Sequence, residues 1–155
     1  MPYYAKNGAE GAAAHGRYLY FSSAEEAKIA CALLNSNIFY VFFIAFSDCF
    51  HLSDGIAAAF PVAPSVWADK DIISLNDRLM NALQGSAVRK IINSRNRTGI
   101  DAVEYDEYSG QSAKGYIDEI DRRLATHFAL PPSVVDAVIN YDIKYRMGQG
   151  TEVDD

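Results

Sequence analysis

Apolar residues recur every three to four positions over four stretches of the chain, which is the spacing of one helical face. Ser23, with Glu26 three residues later, forms a capping box that predicts the start of the first helix. Asn35-Ser36-Asn37 interrupts the pattern and predicts a new helix start. The predicted helices cover residues 24–34, 37–47, 72–85 and 112–128. On the fourth helix we expect an exposed face of charged residues that pair three and four positions apart: Asp118, Glu119, Arg122 and Arg123.

The run Ile38–Phe46 contains no polar group beyond one tyrosine hydroxyl. A membrane-spanning helix needs about 20 predominantly apolar residues, and this run is bounded by Asn37 on one side and Asp48 on the other. Its phenylalanines recur at helical spacing, which is more typical of a protein core than of a base-stacking platform. We therefore predict a buried helix that ends in a polar turn. No basic segment precedes a hydrophobic one near Met1, so no secretory signal is visible.

Turn residues predict the remaining elements. A short helix is expected from Ser53 or Asp54 to Ala59. A last helix is expected to be capped at Ser133 and to end before Gly148. Strands are expected where aromatic and β-branched residues stand between turn residues, at Arg17–Phe21, Val88–Ile92 and Ala102–Tyr108.

The chain of 155 residues is long enough for one domain with a substantial core. Residues 1–16 are rich in Ala and Gly without a periodic pattern, and we expect them to form a flexible segment. Residues 149–155 form an acidic tail. The remainder, residues 17–148, is predicted to be a single α+β domain, mostly helical, with a small antiparallel sheet or hairpin.

Charge is distributed unevenly along the chain. The net charge of −6 argues against a nucleic-acid partner, because phosphate contacts need concentrated Lys and Arg. Residues 85–99 nevertheless hold four cations and no acid, whereas residues 101–121 hold seven acids. Tyrosines next to this basic island are candidate contacts to bases or sugars. On charge alone, a solvated hairpin and a phosphate-binding surface are equally good interpretations. The candidate DNA-binding residues are Arg89, Lys90, Arg95, Arg97, Tyr105 and Tyr108.

The densest group of reactive side chains is Ser47, Asp48, Cys49 and His51. A cysteine nucleophile needs an adjacent base, and residues two apart in sequence, such as Cys49 and His51, rarely face each other correctly. A structural zinc ion needs four ligands, and only Asp48, Cys49 and His51 are close in sequence. We therefore predict that Ser47 and Asp48 hydrogen-bond the helix end and that Cys49 is a small buried residue. Nucleotide-binding, serine-elbow and paired-cysteine motifs are absent from the sequence. Two cysteines form no disulfide framework, and we expect a cytoplasmic protein.

Several fragments carry a resemblance to a known family, in that family's order along residues 17–148: Leu33–Phe43, Ser47–Leu52, Phe60–Val62, Asn93–Arg97, Ile117–Arg122 and Ile139–Met147. They resemble the C-terminal region of type II restriction–modification N6-adenine DNA methyltransferases. One residue departs from the pattern. Phe50 stands where the family leads us to expect an arginine, which argues against a polar or DNA-facing role for that loop.

The resemblance implies a function for this chain. Full-length members carry a Rossmann-like catalytic domain that binds S-adenosylmethionine, with an Asn-Pro-Pro-Tyr/Phe motif that grips the flipped adenine. Their C-terminal region, a TaqI-like specificity domain, contributes to DNA target recognition. The only Pro-Pro of this chain, at 131–132, lies in Leu-Pro-Pro-Ser. The chain therefore resembles the recognition part alone, without catalytic activity or a cofactor of its own.

Two functions follow as hypotheses. The first is a DNA target-recognition module whose basic island contacts phosphates or base edges of double-stranded DNA. The second is an assembly module whose hydrophobic segment docks a separate methyltransferase domain or a second copy of the chain. The second hypothesis predicts an exposed apolar patch of several hundred Å². A third reading, an enzyme built around Asp48, Cys49 and His51, predicts a reactive cysteine.

Overall fold

The computed structural model describes residues 3–11, 18–96, 99–141 and 143. Over these ranges the predicted fold class is confirmed: the chain is a mostly helical α+β domain with a small antiparallel sheet. The helices are α1 (Ala24–Asn35), α2 (Asn37–Phe46), α3 (Asp54–Ala59), α4 (Lys70–Gly85), α5 (Gly110–His127) and α6 (Pro132–Asn140), with a 3₁₀ helix at Pro64–Ala68. The strands are β1 (Tyr4–Lys6), β2 (Ala9–Glu10), β3 (Val88–Asn96) and β4 (Gly99–Glu107).

Serine caps fix the starts of the first helices, as the sequence predicts. The Ser23 hydroxyl accepts a hydrogen bond from the Glu26 amide at 3.1 Å. The Glu26 carboxylate in turn accepts from the Ser22 amide at 2.9 Å, one residue earlier than in the usual box. Ser36 separates α1 from α2, because its hydroxyl donates to the Leu33 carbonyl at 2.7 Å and accepts from the Phe39 amide at 3.0 Å. The interruption at Ser36 is therefore one helix end and one helix start.

The predicted cap of α6 is wrong. The helix begins at Pro132, and Pro131 occupies the cap position without a side-chain hydrogen bond. The Pro131 carbonyl accepts from the amides of Val134 and Val135 at 2.9 and 3.2 Å. Proline fits the first helical position, because its φ is already helical and its missing N–H would have no partner there. The predicted terminator Gly148 lies outside the described residues.

The main hydrophobic core is built from the helical part of the domain. Apolar residues of α1, α4 and α5 bury their side chains together, and Ile72, Leu79, Ile120 and Leu124 are fully inaccessible. The three-four spacing therefore identified the buried faces of α4 and α5 correctly. Among the described residues, no strand residue belongs to this core. The sheet is thus held to the domain without contributing to its hydrophobic centre.

Helix α2 is less buried than predicted. Only Asn37 and Phe39 are buried; Phe42 is half-buried and Phe46 is 69% exposed. The ring of Phe60 packs edge-on against Phe39 and Phe42, with centroids 5.3 and 5.1 Å apart. Within the described ranges no single helix is long and apolar enough to cross a membrane. The pair α1 and α2 reaches that length together but bends by 66° at its break.

A buried carboxylate joins α5 to the start of α2. The side chain of Asp121 is completely inaccessible. One of its oxygens accepts from the Ile38 amide at 3.0 Å, and the other accepts from the Asn37 side-chain amide. Burial raises the pKa of Asp121 to about 6, although the hydrogen bonds from Ile38 and Asn37 act in the opposite direction. The apolar spacing of α5 gave no indication of this polar contact in the core.

The pairs predicted within the charged face of α5 are wrong. Asp118, Glu119, Arg122 and Arg123, all within the described ranges, form no ion pair with one another, and Asp118 pairs with Lys114 instead. Glu119 instead binds Arg78 of α4 at 2.9 Å, and Arg123 binds Asp69 at 2.6 Å. Because α4 and α5 pack side by side, each helix offers opposite charges that a single-helix pattern leaves out.

The sheet is antiparallel in the order β2-β1-β4-β3, so β3 is an edge strand. The predicted hairpin is confirmed, with strands longer than the predicted ranges 88–92 and 102–108. The predicted strand at Arg17–Phe21 is wrong over its described part, because Tyr18–Phe21 carries no regular secondary structure. No strand is predicted between residues 1 and 16, whereas the structure has β1 and β2 there. Asn7-Gly8 joins them, with φ of 52° and 80°, the conformation that Asn-Gly favours in two-residue hairpins.

Candidate nucleic-acid interface

The described cations of the basic island all lie on β3. Arg89 stands opposite Asp106 of β4, and Lys90 stands opposite Tyr105. Since successive side chains of a strand point to opposite faces, Arg89 and Arg95 share one face of the sheet and Lys90 lies on the other. The described cations of the island therefore lie on one edge strand, on both of its faces.

Arg89 is held by Asp106 of β4 and by Tyr3, the residue that precedes β1. Its Nε donates to Asp106 Oδ1 at 2.6 Å, and its guanidinium carbon lies 3.5 Å from the centre of the Tyr3 ring. Asp106 also accepts from the Tyr3 amide at 3.2 Å. The hydrogen bond between the two side chains raises the pKa of Arg89 and lowers that of Asp106. Sequence reasoning missed Tyr3 and Asp106, because only the pairing of β1 with β4 brings Tyr3 to this face.

The side chains of Lys90 and Arg95 make weaker contacts with the rest of the sheet than the side chain of Arg89 does. Lys90 Nζ lies 3.8 Å from Glu107 Oε1, and both side chains are about half exposed at 47% and 57%. Such an exposed pair contributes only about 0–1 kcal/mol, so it can be exchanged for another anion. Arg95 is exposed and enters no ion pair within the described part of the chain. Arg97 lies outside the described residues.

The two predicted tyrosines occupy different positions. Tyr105 is half-buried on β4, between Lys90 on one side and Tyr4 on the other. It therefore lies on the sheet face opposite to the arginines. Tyr108 follows the end of β4 and is also half-buried. The structure brings Tyr105 next to one cation of the island, and a contact of either ring with nucleic acid stays a prediction.

The partner strand β4 is acidic. Four of its nine residues are Asp or Glu, at positions 101, 104, 106 and 107. Asp101 binds Lys6 of β1 at 2.8 Å, and Asp106 and Glu107 pair with cations of β3. The hairpin thus sets a basic strand beside an acidic one. Because β3 is the edge strand, the cations lie along the edge of the sheet. The acids lie on β4, the inner strand next to it.

The turn after α2 is ordered by its own side chains, as predicted. Asp48 Oδ1 accepts from the amides of Phe50 and His51 at 2.9 and 2.8 Å, and these bonds lower the pKa of Asp48 to about 2. The prediction that Cys49 is buried is wrong. Cys49 is exposed, at a φ of 59°, and its Sγ lies 3.4 Å from the Ile44 carbonyl. The described residues contain no group of three or more His, Cys, Asp or Glu that could hold a metal ion.

A second polar cluster joins the 3₁₀ helix, α4 and α5. Ser65 Oγ lies 2.8 Å from His127 Nδ1, and His127 Nε2 lies 2.6 Å from Asp69 Oδ2. Asp69 also accepts from Arg123 Nε at 2.6 Å and caps α4 through the Asp71 and Ile72 amides. Burial alone would raise the pKa of Asp69, but these hydrogen bonds lower it to about 2.

This arrangement of Ser65, His127 and Asp69 has the order of contacts of a hydrolase triad, but we interpret it as structural. The side chain of Asp69 is only 3% exposed, and its hydrogen bonds fix the start of α4 and join it to α5. A catalytic carboxylate orients one imidazole, whereas Asp69 also neutralises an arginine. Sequence reasoning missed all three residues. An Asp directly before a helix is a cap signal that could have indicated Asp69, whereas only helix packing brings Ser65 and His127 to it.

An apolar groove lies beside α1 and α3. Its volume is about 440 Å³, and apolar and aromatic side chains form most of its lining, including Leu33, Phe60 and Trp67. The segment Tyr18–Phe21 contributes one wall, and Tyr20 is 90% exposed. Phe50, at 82% exposure, adds another uncovered aromatic ring at the end of the predicted hydrophobic segment. These side chains are exposed apolar surface, and a contiguous patch of several hundred Å² stays a prediction of the assembly hypothesis.

Comparisons of the chain with protein-family models, curated proteins and solved structures found no match.

Proposed function

We propose that the chain is a non-catalytic DNA target-recognition module of a restriction–modification adenine-N6 methyltransferase. The observation that carries the proposal is the composition and position of β3. This nine-residue edge strand holds Arg89, Lys90 and Arg95 and no acid. Basic strands of this kind supply phosphate contacts, and base contacts from the same element supply specificity.

Both faces of β3 are open to solvent. Ile91, on the face of the arginines, is 63% exposed, and Ile92, on the other face, is 50% exposed. An exposed antiparallel hairpin has dimensions that suit the major groove of B-DNA, which admits a two-stranded β-ribbon. The accessible edge and its positive charge therefore coincide on one strand.

The charge pattern of β3 disfavours pairing with a second copy of itself. Lys90 and Arg95 are accessible cations on this edge. Cations on an edge strand protect a sheet against pairing with another edge, because like charges repel across the strand pair. A polyanion is a better partner for this edge than another β3.

Catalysis and S-adenosylmethionine binding belong, in this proposal, to a separate methyltransferase domain or subunit. The sequence of this chain contains no Asn-Pro-Pro-Tyr motif. The cluster at Ser65, Asp69 and His127 and the turn at Cys49 have structural roles that the observed hydrogen bonds account for.

The salt dependence of duplex binding tests the proposal. Full-length chain and a random-sequence duplex are titrated at several salt concentrations, for the wild type and for the double variant Lys90→Ala/Arg95→Ala. Each phosphate contact contributes about 0.9 to the slope of log affinity against log salt, so the double variant should lose roughly two units of slope. Arg122→Ala is the matched control, since Arg122 is an exposed cation on α5, outside the basic strand. Affinity that does not depend on salt, or equal losses in both variants, would contradict the proposal.

A second candidate function is docking of another protein at the apolar groove. The groove and the exposed aromatic residues Tyr20 and Phe50 favour it. Light scattering of the purified chain separates the two candidates. A monomer that binds duplex supports DNA recognition, and a stable dimer that ignores duplex supports assembly.

A further inference from the structure

Two neighbouring side chains hold the guanidinium of Arg89 in one orientation. Its guanidinium carbon lies over the face of the Tyr3 ring, 3.5 Å from the ring centre, and Asp106 accepts from its Nε at 2.6 Å. An arginine has five N–H donors, of which Nε carries one. Among the described residues none accepts a hydrogen bond from the four N–H groups on Nη1 and Nη2. The side chain is nevertheless 46% exposed, so this outer edge remains open to a ligand.

This outer edge matches the chemistry of guanine. In the major groove guanine presents two adjacent acceptors, O6 and N7, and an arginine contacts both with two parallel N–H groups. A guanidinium fixed by a stacked ring and by a carboxylate on Nε loses less freedom when it makes such a bidentate contact than a free side chain does.

A phosphate is a poorer ligand for the same group. Asp106 neutralises Arg89, and its carboxylate lies within hydrogen-bond distance of the guanidinium. A phosphate that approached Arg89 would therefore meet a second negative charge. Lys90 and Arg95 lack such a close carboxylate among the described residues, since Glu107 stands 3.8 Å from Lys90. The cations of β3 thus divide into one neutralised, oriented arginine and two accessible positive charges.

Resting on the proposed DNA-recognition function, we propose that Arg89 reads a guanine of the target sequence, with Asp106 and Tyr3 as positioning residues. Lys90 and Arg95 contact phosphates and carry no base preference. Removal of Arg89 should therefore change which sequence is bound, whereas removal of Arg95 should change how strongly all sequences are bound.

Selection of duplexes from a random library tests this division of roles. The full-length wild type should enrich a motif that contains a guanine. Arg89→Lys keeps the charge but lacks the planar fork, and it should lose preference at that guanine by roughly 5- to 150-fold while its salt slope stays unchanged. Arg95→Ala should enrich the same motif as the wild type with a salt slope lower by about one.

A pair of substitutions at Tyr3 isolates the positioning contact. Tyr3→Phe keeps the aromatic face under Arg89 and should retain the guanine preference, whereas Tyr3→Leu removes the face and should weaken it. Far-UV circular dichroism of each variant checks that the domain is folded. Because the two substitutions differ in the ring, a difference between them reports on the orientation of Arg89.

The outcomes separate the inference from the function on which it rests. If the wild type binds no duplex, the proposed function fails and the inference fails with it. If the wild type enriches a motif that Arg89→Lys also enriches, or if Arg89→Lys weakens all duplexes equally, the inference fails and DNA recognition stands. Loss of one guanine preference alone supports both.

Discussion

The buried carboxylate of Asp121 makes a specific prediction about how stability depends on pH. Its pKa is raised from 3.8 to about 6 by burial. The folded chain therefore binds more protons than the unfolded chain between these two pH values, and stability decreases as the pH rises through this window. A shift of about two pKa units corresponds to roughly 3 kcal/mol at ~1.36 kcal/mol per unit. This contribution is fully present below about pH 4 and absent above about pH 6.

The substitution Asp121→Asn removes the titration and keeps an oxygen that can accept from the Ile38 amide. The free energy of unfolding is measured by urea denaturation for both proteins at pH 4 and pH 7. The free energy of unfolding of the variant minus that of the wild type should be about 3 kcal/mol larger at pH 7 than at pH 4. Glu119→Gln is the control, since the loss of its exposed ion pair with Arg78 should change stability by no more than about 1 kcal/mol. A variant–wild-type difference that is constant with pH, or that favours the wild type more at pH 7, would refute the assignment of a destabilising buried charge.

Other contacts give further predictions. Asp69→Ala removes the cap of α4 and the partner of Arg123 and should cost about 2–4 kcal/mol in urea denaturation at pH 7. In the wild type the stability due to Asp69 should be lost as the pH falls from about 4 to about 2, because its lowered pKa favours the ionised form above that window. Ser36→Ala, which loses the cap of α2, should cost about 1 kcal/mol in the same assay, and no change would contradict the capping role. Exposed Cys49 should react with a thiol reagent well before Cys31, whose pKa is raised by burial; equal rates would contradict this difference.

Local signals in the sequence were sufficient for most of the helices. The capping box at Ser23 and the interruption at Ser36 both act through contacts within a few residues, so their sequence signature and their structure agree. The periodic leucines and isoleucines of α4 and α5 likewise identified the core, because a helix buries the face on which they recur.

The errors arose where distant parts of the chain decide the outcome. The apolar run Ile38–Phe46 was predicted to be buried, yet the domain covers only the start of α2 and leaves Phe46 exposed. Tyr18–Phe21 has the composition of a strand, but no described strand pairs with it. The short strands β1 and β2 were missed although Asn7-Gly8 is a hairpin signal, because their flanking residues alternate too weakly to predict a strand.

The sequence suggested where a candidate site lies and gave little about its contacts. The excess of Lys and Arg between residues 85 and 99 marked the basic island, and turn and β-branched residues predicted the strand β3 that holds its described cations. The contact of Arg89 with Asp106 depends on the register of the hairpin, and the contact with Tyr3 depends on a strand more than eighty residues away in sequence. Those two contacts now distinguish Arg89 from Lys90 and Arg95, which the sequence alone treats as equivalent.

The most direct test of DNA recognition by β3 is to observe the backbone amides of the full-length chain by NMR while a DNA duplex is added. If β3 binds DNA, the resonances of Val88–Asn96 shift in proportion to the duplex added, and those of the buried faces of α4 and α5 remain unchanged. The shifts should diminish as salt is added, because phosphate contacts weaken with ionic strength. A duplex that binds the chain without perturbing β3, or that perturbs the apolar groove at Leu33 and Trp67 instead, would contradict the account.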